Sequence, residues 1–191
     1  RPFFLVTSYL NPHDICLWAV GRESGYQEEP RFDTPLEQCP PLPENFAVAP
    51  DEPSVLRDYY MTRHDEQKSF DEAKWRRYLH AYYAMVEAVD ADIGRLLEAL
   101  RARGLHRDTL VIFSSDHGDG LAAHQWLGKC CHYEEAMRVP FIVSYQGTIR
   151  PGRVDRTHFV SGGPDFYATA LDYAGAAIPE GCQGRSLRCL L

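Results

Sequence analysis

The chain has 191 residues, of which 45% are hydrophobic and 25% charged, and its formal net charge is −7. That hydrophobic share suits a folded domain with a sizeable core and excludes a disordered chain. The basic residues are scattered among acids, which excludes a phosphate-neutralising face for nucleic acid, and no apolar run approaches the ~20 residues that span a bilayer.

In chain order, the opening RPFFLVTSYL is apolar and β-branched over Phe3–Ser8, and reads as a buried strand. It lacks the charged, apolar and small-residue regions of a signal peptide. A chain that opens inside an element, and closes as abruptly on GRSLRCLL, is expected to be a fragment of something longer. Asn11-Pro12 signals a turn. From about Cys16 to Pro53 the chain is rich in Pro, Gly and Glu; each Pro removes a backbone donor, so this is expected to be a long surface excursion. A helix is predicted from Asp71 to Arg103. Trp75, Tyr78, Tyr82, Val86, Val89, Ile93, Leu96 and Leu100 recur on one stripe that should face a core. Gly104 is its natural stop. HRDT then turns the chain into an apolar strand, Leu110–Ser114, and VPFIVSY near Pro140 gives a second buried strand. PDFYATALDYAG reads as a short helix with Asp165 near its start and Gly175 at its end. Helix, short turn and buried strand together indicate an α/β domain. No internal repeat is visible.

Six cysteines, Cys16, Cys39, Cys130, Cys131, Cys182 and Cys189, lack the paired spacing of common zinc sites. Cys130, Cys131 and His132 with His124 can be drawn as a metal cluster, but adjacent cysteines chelate one tetrahedral ion awkwardly. Small buried or surface thiols are the plainer reading.

Open α/β sheets place ligands beyond the carboxyl ends of strands. His13 follows the first predicted strand, Asp116 and His117 follow the Leu110–Ser114 strand, and His124 and Lys129 lie in the loop after it. A neighbouring carboxylate and imidazole suit a divalent cation; an ammonium and a second imidazole suit an anionic, oxygen-rich group. The residues alone leave plainer readings open. Asp116-His117-Gly118-Asp119 can be an ordinary polar turn, His13 a turn residue and Lys129 a solvated charge. His64, His80, His106 and His158 sit in polar or helical contexts and read as non-catalytic.

The stretches RPFFLVTSYLNPHD, YYAMVEAVDADIGRLLEALRARGLHRDTLVIFSSDHGDGLAAHQWLGK, YEEAMRVPFIV and GRSL occur in an order that resembles the sulfatase family of the alkaline-phosphatase-like superfamily. The resemblance implies an alkaline-phosphatase-like α/β fold, expected in this chain as a partial mixed sheet flanked by helices. It implies a partial catalytic domain over residues 1–191, with 16–53 as the excursion within it. It further implies that Asp116 and His117 bind a metal, Ca²⁺ before Mn²⁺ or Zn²⁺. Lys129 and His13 would then act on the sulfate group and the departing oxygen, and His124 would join them at the substrate. Glu134 and Arg138 would be structural support, and Asp90 would anchor packing.

Two family features do not occur in the chain: a C/S-x-P-x-R motif, whose Cys or Ser matures to formylglycine, and the N-terminal Asp pair of the metal site. The resemblance therefore implies an intact parent that hydrolyses a sulfate ester with a formylglycine supplied by an upstream part, and a fragment inactive alone and prone to self-association. It favours a periplasmic or secreted location. A phosphonate monoester or phosphodiester hydrolase of the same superfamily, and a non-enzymatic paralogue that binds an anion or a partner, are the competing readings. Cys130 and Cys131 stand where relatives carry small or hydroxyl residues, and Ala168 where many carry Pro.

Overall fold

A computed structural model describes residues 2–22, 33–63 and 67–191. His64 and the middle of the excursion lie outside the described residues. The chain forms two compact units: Arg1–Leu96 with Asp119–Glu135, and Leu97–Gly118 with Ala136–Leu191.

The first unit contains α1 (Ile15–Ala19), α2 (Ser54–Arg63) and most of α3 (Glu72–Ala102). The Asp71 carboxylate accepts the Lys74 N–H at 2.8 Å and so satisfies one of the orphan donors that every helix start leaves. Trp75 and Tyr78 of α3 are the centre of the core. Trp75 meets Phe70 and Phe46 edge-on at centroid distances of 5.2 and 5.6 Å, and Tyr78 lies 6.2 Å from Trp18 of α1. Burying each such ring contributes about 1.5–3 kcal/mol. The buried face of α3 continues through Leu79, Ala81 and Met85 and then stops. The expected stripe therefore holds only in the first half. Val86 is exposed and Val89 to Leu100 are at best half-buried, because a stripe is buried only where another element lies over it.

The excursion is not a loose loop where it is described. Pro-rich chain has more carbonyls than N–H donors, and α3 supplies the missing donors. The Arg76 guanidinium donates to Leu36 O, Cys39 O and Pro40 O at 2.8–2.9 Å, and Arg77 Nε donates to Thr34 O at 2.9 Å.

The opening stretch departs from its reading. Residues 2–8 are exposed, Phe4 to 76%, and belong to no ladder. A run of strand-forming residues becomes a strand only when a neighbour takes its backbone groups, and no described strand does so. Asn11–Pro12 is a cis peptide, and the turn it makes leads directly into α1, with Ile15 N donating to Pro12 O at 3.1 Å.

In the second unit, β1 (Val111–Ser114) and β2 (Phe141–Ser144) pair antiparallel, Val111 opposite Ser144 and Ser114 opposite Phe141. Both strands occur where the sequence places them, but neither is buried: Ile142 is 58% exposed. Two strands cannot cover both of their own faces. The α3 helix ends at Gly104, whose φ of +69° and following Leu105 N→Leu100 O bond of 2.9 Å close the last turn. The short helix α4 (Glu134–Met137) precedes β2, and α5 (Gly162–Tyr173) follows it. The GRSL segment docks on α5. Asp165 accepts Ser161 N at 2.8 Å and Arg185 N at 2.9 Å, Thr169 Oγ1 accepts Leu187 N at 2.9 Å, and Ser186 Oγ donates to Asp172 at 2.5 Å. A side chain at Gly184 would put its Cβ 2.0 Å from Pro164 O, so only glycine allows this approach.

Candidate functional site

The first unit carries His13, His124 and Lys129. Their loop is built from Asp119 outwards. Asp119 is buried, and its Oδ1 accepts both the Tyr78 hydroxyl at 2.8 Å and Leu121 N at 2.9 Å. Burial, and then the charge of Asp119, push the Tyr78 phenol well above its ordinary range, so it remains a neutral donor. Gly120 follows because a Cβ there would lie 2.6 Å from Trp126 O. Leu121, Ala122, His124 and Gln125 then adopt left-handed backbone, with φ of 48°, 65°, 53° and 57°. Each such residue costs about 1–2 kcal/mol. The cost is met by bonding: every backbone N–H from Gly120 to Trp126 has an acceptor, among them Gly128 O at 2.7 Å for Gly120 and Asn45 O at 2.8 Å for His124. Strain held by surrounding bonds is characteristic of a positioned functional segment.

Lys129 leaves this loop beside Trp126, whose buried indole donates to Lys129 O at 3.3 Å. Its Nζ reaches His13 Nδ1 at 3.3 Å, so the structure brings together two residues 116 positions apart. An ammonium donating to Nδ1 leaves the second imidazole nitrogen as a donor. The pair can therefore present two donors to one anionic oxygen group.

His124 lies in a different set of contacts. Its ring stacks on Tyr133 at 4.1 Å with planes 9° apart, and its Nε2 is 3.5 Å from Asn45 Nδ2. Asn45 Nδ2 also donates to Glu135 Oε1 at 2.8 Å, and the Tyr133 hydroxyl bonds Glu52. Asn45 and Glu52 belong to the excursion.

The second unit carries Asp116 and His117, just past β1. Asp116 Oδ1 accepts His117 N at 3.0 Å, and its Oδ2 is 3.6 Å from His117 Nε2. His117 Nδ1 lies 2.8 Å from Gly118 O, which assigns the ring proton to Nδ1 and leaves Nε2 with a lone pair. A histidine held through its other nitrogen by a carbonyl is how metal-ligating imidazoles are oriented. The pair thus fits a divalent cation as two donors of a larger set. Among the described residues, no three His, Cys, Asp or Glu side chains converge on one point.

Asp90, expected to anchor packing, is exposed. Among the other histidines, His158 Nδ1 pairs with Asp155 at 2.7 Å. Sequence reading missed Asn45, Tyr78, Asp119, Tyr133 and Glu135. Asp119 stood in the quoted DHGD motif and offered a signal; Asn45, inside PLPENF, offered none.

A family model described as Sulfatase matches residues 1–176. The chain is 30% identical over 194 residues to the Delta 4,5-hexuronate-2-O-sulfatase of Bacteroides thetaiotaomicron, covering 98% of this chain and 39% of that protein. It superimposes on a solved 2-O GAG sulfatase with a TM-score of 0.81 at 29% identity, covering 95% of this chain and 39% of the other. A phosphonate monoester hydrolase from Silicibacter pomeroyi matches less fully, with a TM-score of 0.58 at 30% identity over 65% of this chain and 24% of that one. The chain spans well under half the length of these relatives. Its fold is alkaline-phosphatase-like α/β, and with the family model running through both compact units, the chain belongs to the sulfatase family.

Proposed function

We propose that the protein containing this chain hydrolyses a sulfate ester. The observation that carries the reading is the approach of Lys129 Nζ to His13 Nδ1 within the strained, fully bonded loop frame. In this reading Lys129 and His13 stabilise charge on the ester anion and its departing oxygen, and His124 stands on the substrate side. Asp116 and His117 hold a divalent metal. Ca²⁺ is the first choice because the site is expected to be oxygen-rich; the imidazole would also suit Mn²⁺ or Zn²⁺. The metal, when bound, neutralises an ester oxygen. A formylglycine from an upstream part of the parent would supply the nucleophile, so the 191-residue chain alone is expected to be inactive and to self-associate. Two donors are far fewer than the 6–8 oxygens of a Ca²⁺ shell, so the chain alone should bind Ca²⁺ weakly.

The test is a parallel assay of the full-length protein on an aryl sulfate, an aryl phosphonate monoester and an aryl phosphodiester. Sulfate turnover should dominate. Preference for the phosphonate would move the protein to the competing class, of which the Silicibacter pomeroyi structure matches the chain less fully. No turnover of any ester by metal-loaded, full-length protein would favour the non-enzymatic reading.

A further inference from the structure

We infer that Asn45, carried by the Pro-rich excursion, is a positioning residue that orients the His124 ring with Nε2 as acceptor and its proton on Nδ1. A carboxylate only accepts hydrogen bonds, and Glu135 Oε1 lies 2.8 Å from Asn45 Nδ2. That contact settles which end of the Asn45 amide is nitrogen. The same NH₂ group lies 3.5 Å from His124 Nε2, at the outer limit of a hydrogen bond. A donor facing Nε2 disfavours a proton there, so Nε2 is the acceptor and the proton sits on Nδ1. Nδ1 is buried and has no hydrogen-bond partner among the described residues, so no second contact selects the tautomer and a proton there is held without an acceptor. The assignment rests on the Asn45 amide facing Nε2.

Two further contacts restrict the ring. Tyr133 stacks flat against it at 4.1 Å, with the Tyr133 hydroxyl anchored to Glu52. Asn45 O takes the His124 backbone N–H at 2.8 Å, at a residue whose φ is +53°. The excursion thus holds both the backbone and the imidazole of one loop residue. Of the titratable groups linked to the ring, Tyr133 stacks on it, Glu135 reaches it through Asn45, and Glu52 lies behind Tyr133.

The consequence for the reaction rests on the reading of His124 as a substrate-side group; the tautomer does not. Full-length protein labelled with ¹⁵N in its histidine rings, with His124→Gln to assign the signal, reports the protonated nitrogen directly. The wild type should show Nδ1–H at His124. Asn45→Ala should return it to the Nε2–H form that an unconstrained imidazole favours, and Glu135→Gln, which frees the amide to turn, should give a mixture. Nε2–H in the wild type overturns the inference, and that measurement needs no variant to fold. Asn45→Ala should also lower kcat/KM about tenfold, with Asn45→Gln recovering part of it. An Nδ1–H wild type with unchanged kinetics would uphold the positioning and remove His124 from the substrate reading.

Discussion

Single side chains carry the sharpest expectations. Lys129→Ala in the full-length protein should reduce sulfate ester turnover by about 10²–10³-fold, the scale of removing one preorganised donor to a developing negative charge. Steady-state kinetics on an aryl sulfate reads this, and a loss under threefold would remove Lys129 from the chemistry. The cysteine pair beside it should behave unequally. Cys130 is exposed, whereas Cys131 is buried and its thiol is raised to about 11, by burial first and then by Glu135 and Asp119. The thiolate is the reactive form, so iodoacetamide near pH 8 should label Cys130 well before Cys131, as peptide mass spectrometry would show. Residue type and place single out His13, Lys129, Asp116 and His117 as candidates, polar groups that follow apolar runs. Each also has a plainer reading as a turn residue or a solvated charge, and only the approach of Lys129 to His13 adds a contact that sequence could not supply. Asn45 and Glu135 were not legible. Their partnership joins positions 90 apart, with His124 79 from Asn45, and only the folded excursion supplies that proximity.

Among the elements, α3 shows both what a sequence pattern encodes and where it stops. Its period and its caps were readable, because capping and amphipathicity are local. The point where burial ends along the helix was not, because that depends on what lies over it. The same holds for β1 and β2, whose positions were local information and whose exposure was not. Where α3 is buried it couples to the candidate loop through Tyr78 and Asp119. Tyr78→Phe removes a donor from a buried carboxylate and should cost about 1–3 kcal/mol of stability, measured by urea unfolding. One turn along, Tyr82 is raised to about 12 from its ordinary 10.0, by burial first and then by the charge of Asp119. A phenol whose folded pKa is raised favours the neutral form, so its contribution is intact below pH 10 and is lost as pH rises through about 12. Cys131 acts in the same direction from 9.0 to about 11. The urea midpoint should therefore hold from pH 7 to 9 and decline above it, and a flat midpoint to pH 12 would contradict the burial of these groups. In the second unit, Gly184→Ala should loosen the GRSL segment from α5, because its Cβ would collide with backbone and not with a yielding side chain.

At the scale of the whole chain, the exposed run Phe3, Phe4, Leu5 and Val6 is the most conspicuous feature, an apolar stretch whose backbone is paired with no described strand. An unpaired edge is a template for another chain, and a few hundred Å² of apolar surface is worth several kcal/mol on association at about 25 cal/mol per Å², before the loss of rigid-body freedom. The 191-residue chain expressed alone should thus form dimers or larger species through this run. Light scattering across a concentration series tests it, and a monomer at high micromolar concentration would show that the run is covered from within.

The loop between Asp119 and Lys129 belongs to no long helix and no sheet, yet its seven consecutive amides from Gly120 to Trp126 are all engaged. Amide exchange with solvent follows the opening of such bonds and not the name of the element that contains them. In deuterated buffer this irregular segment should therefore take up label as slowly as the buried turns of α3, and far more slowly than the Phe3–Val6 run. A loop so protected has little freedom to close over a ligand, so, in the proposed reading of Lys129 and His13, substrate selection falls to the shape already present before binding.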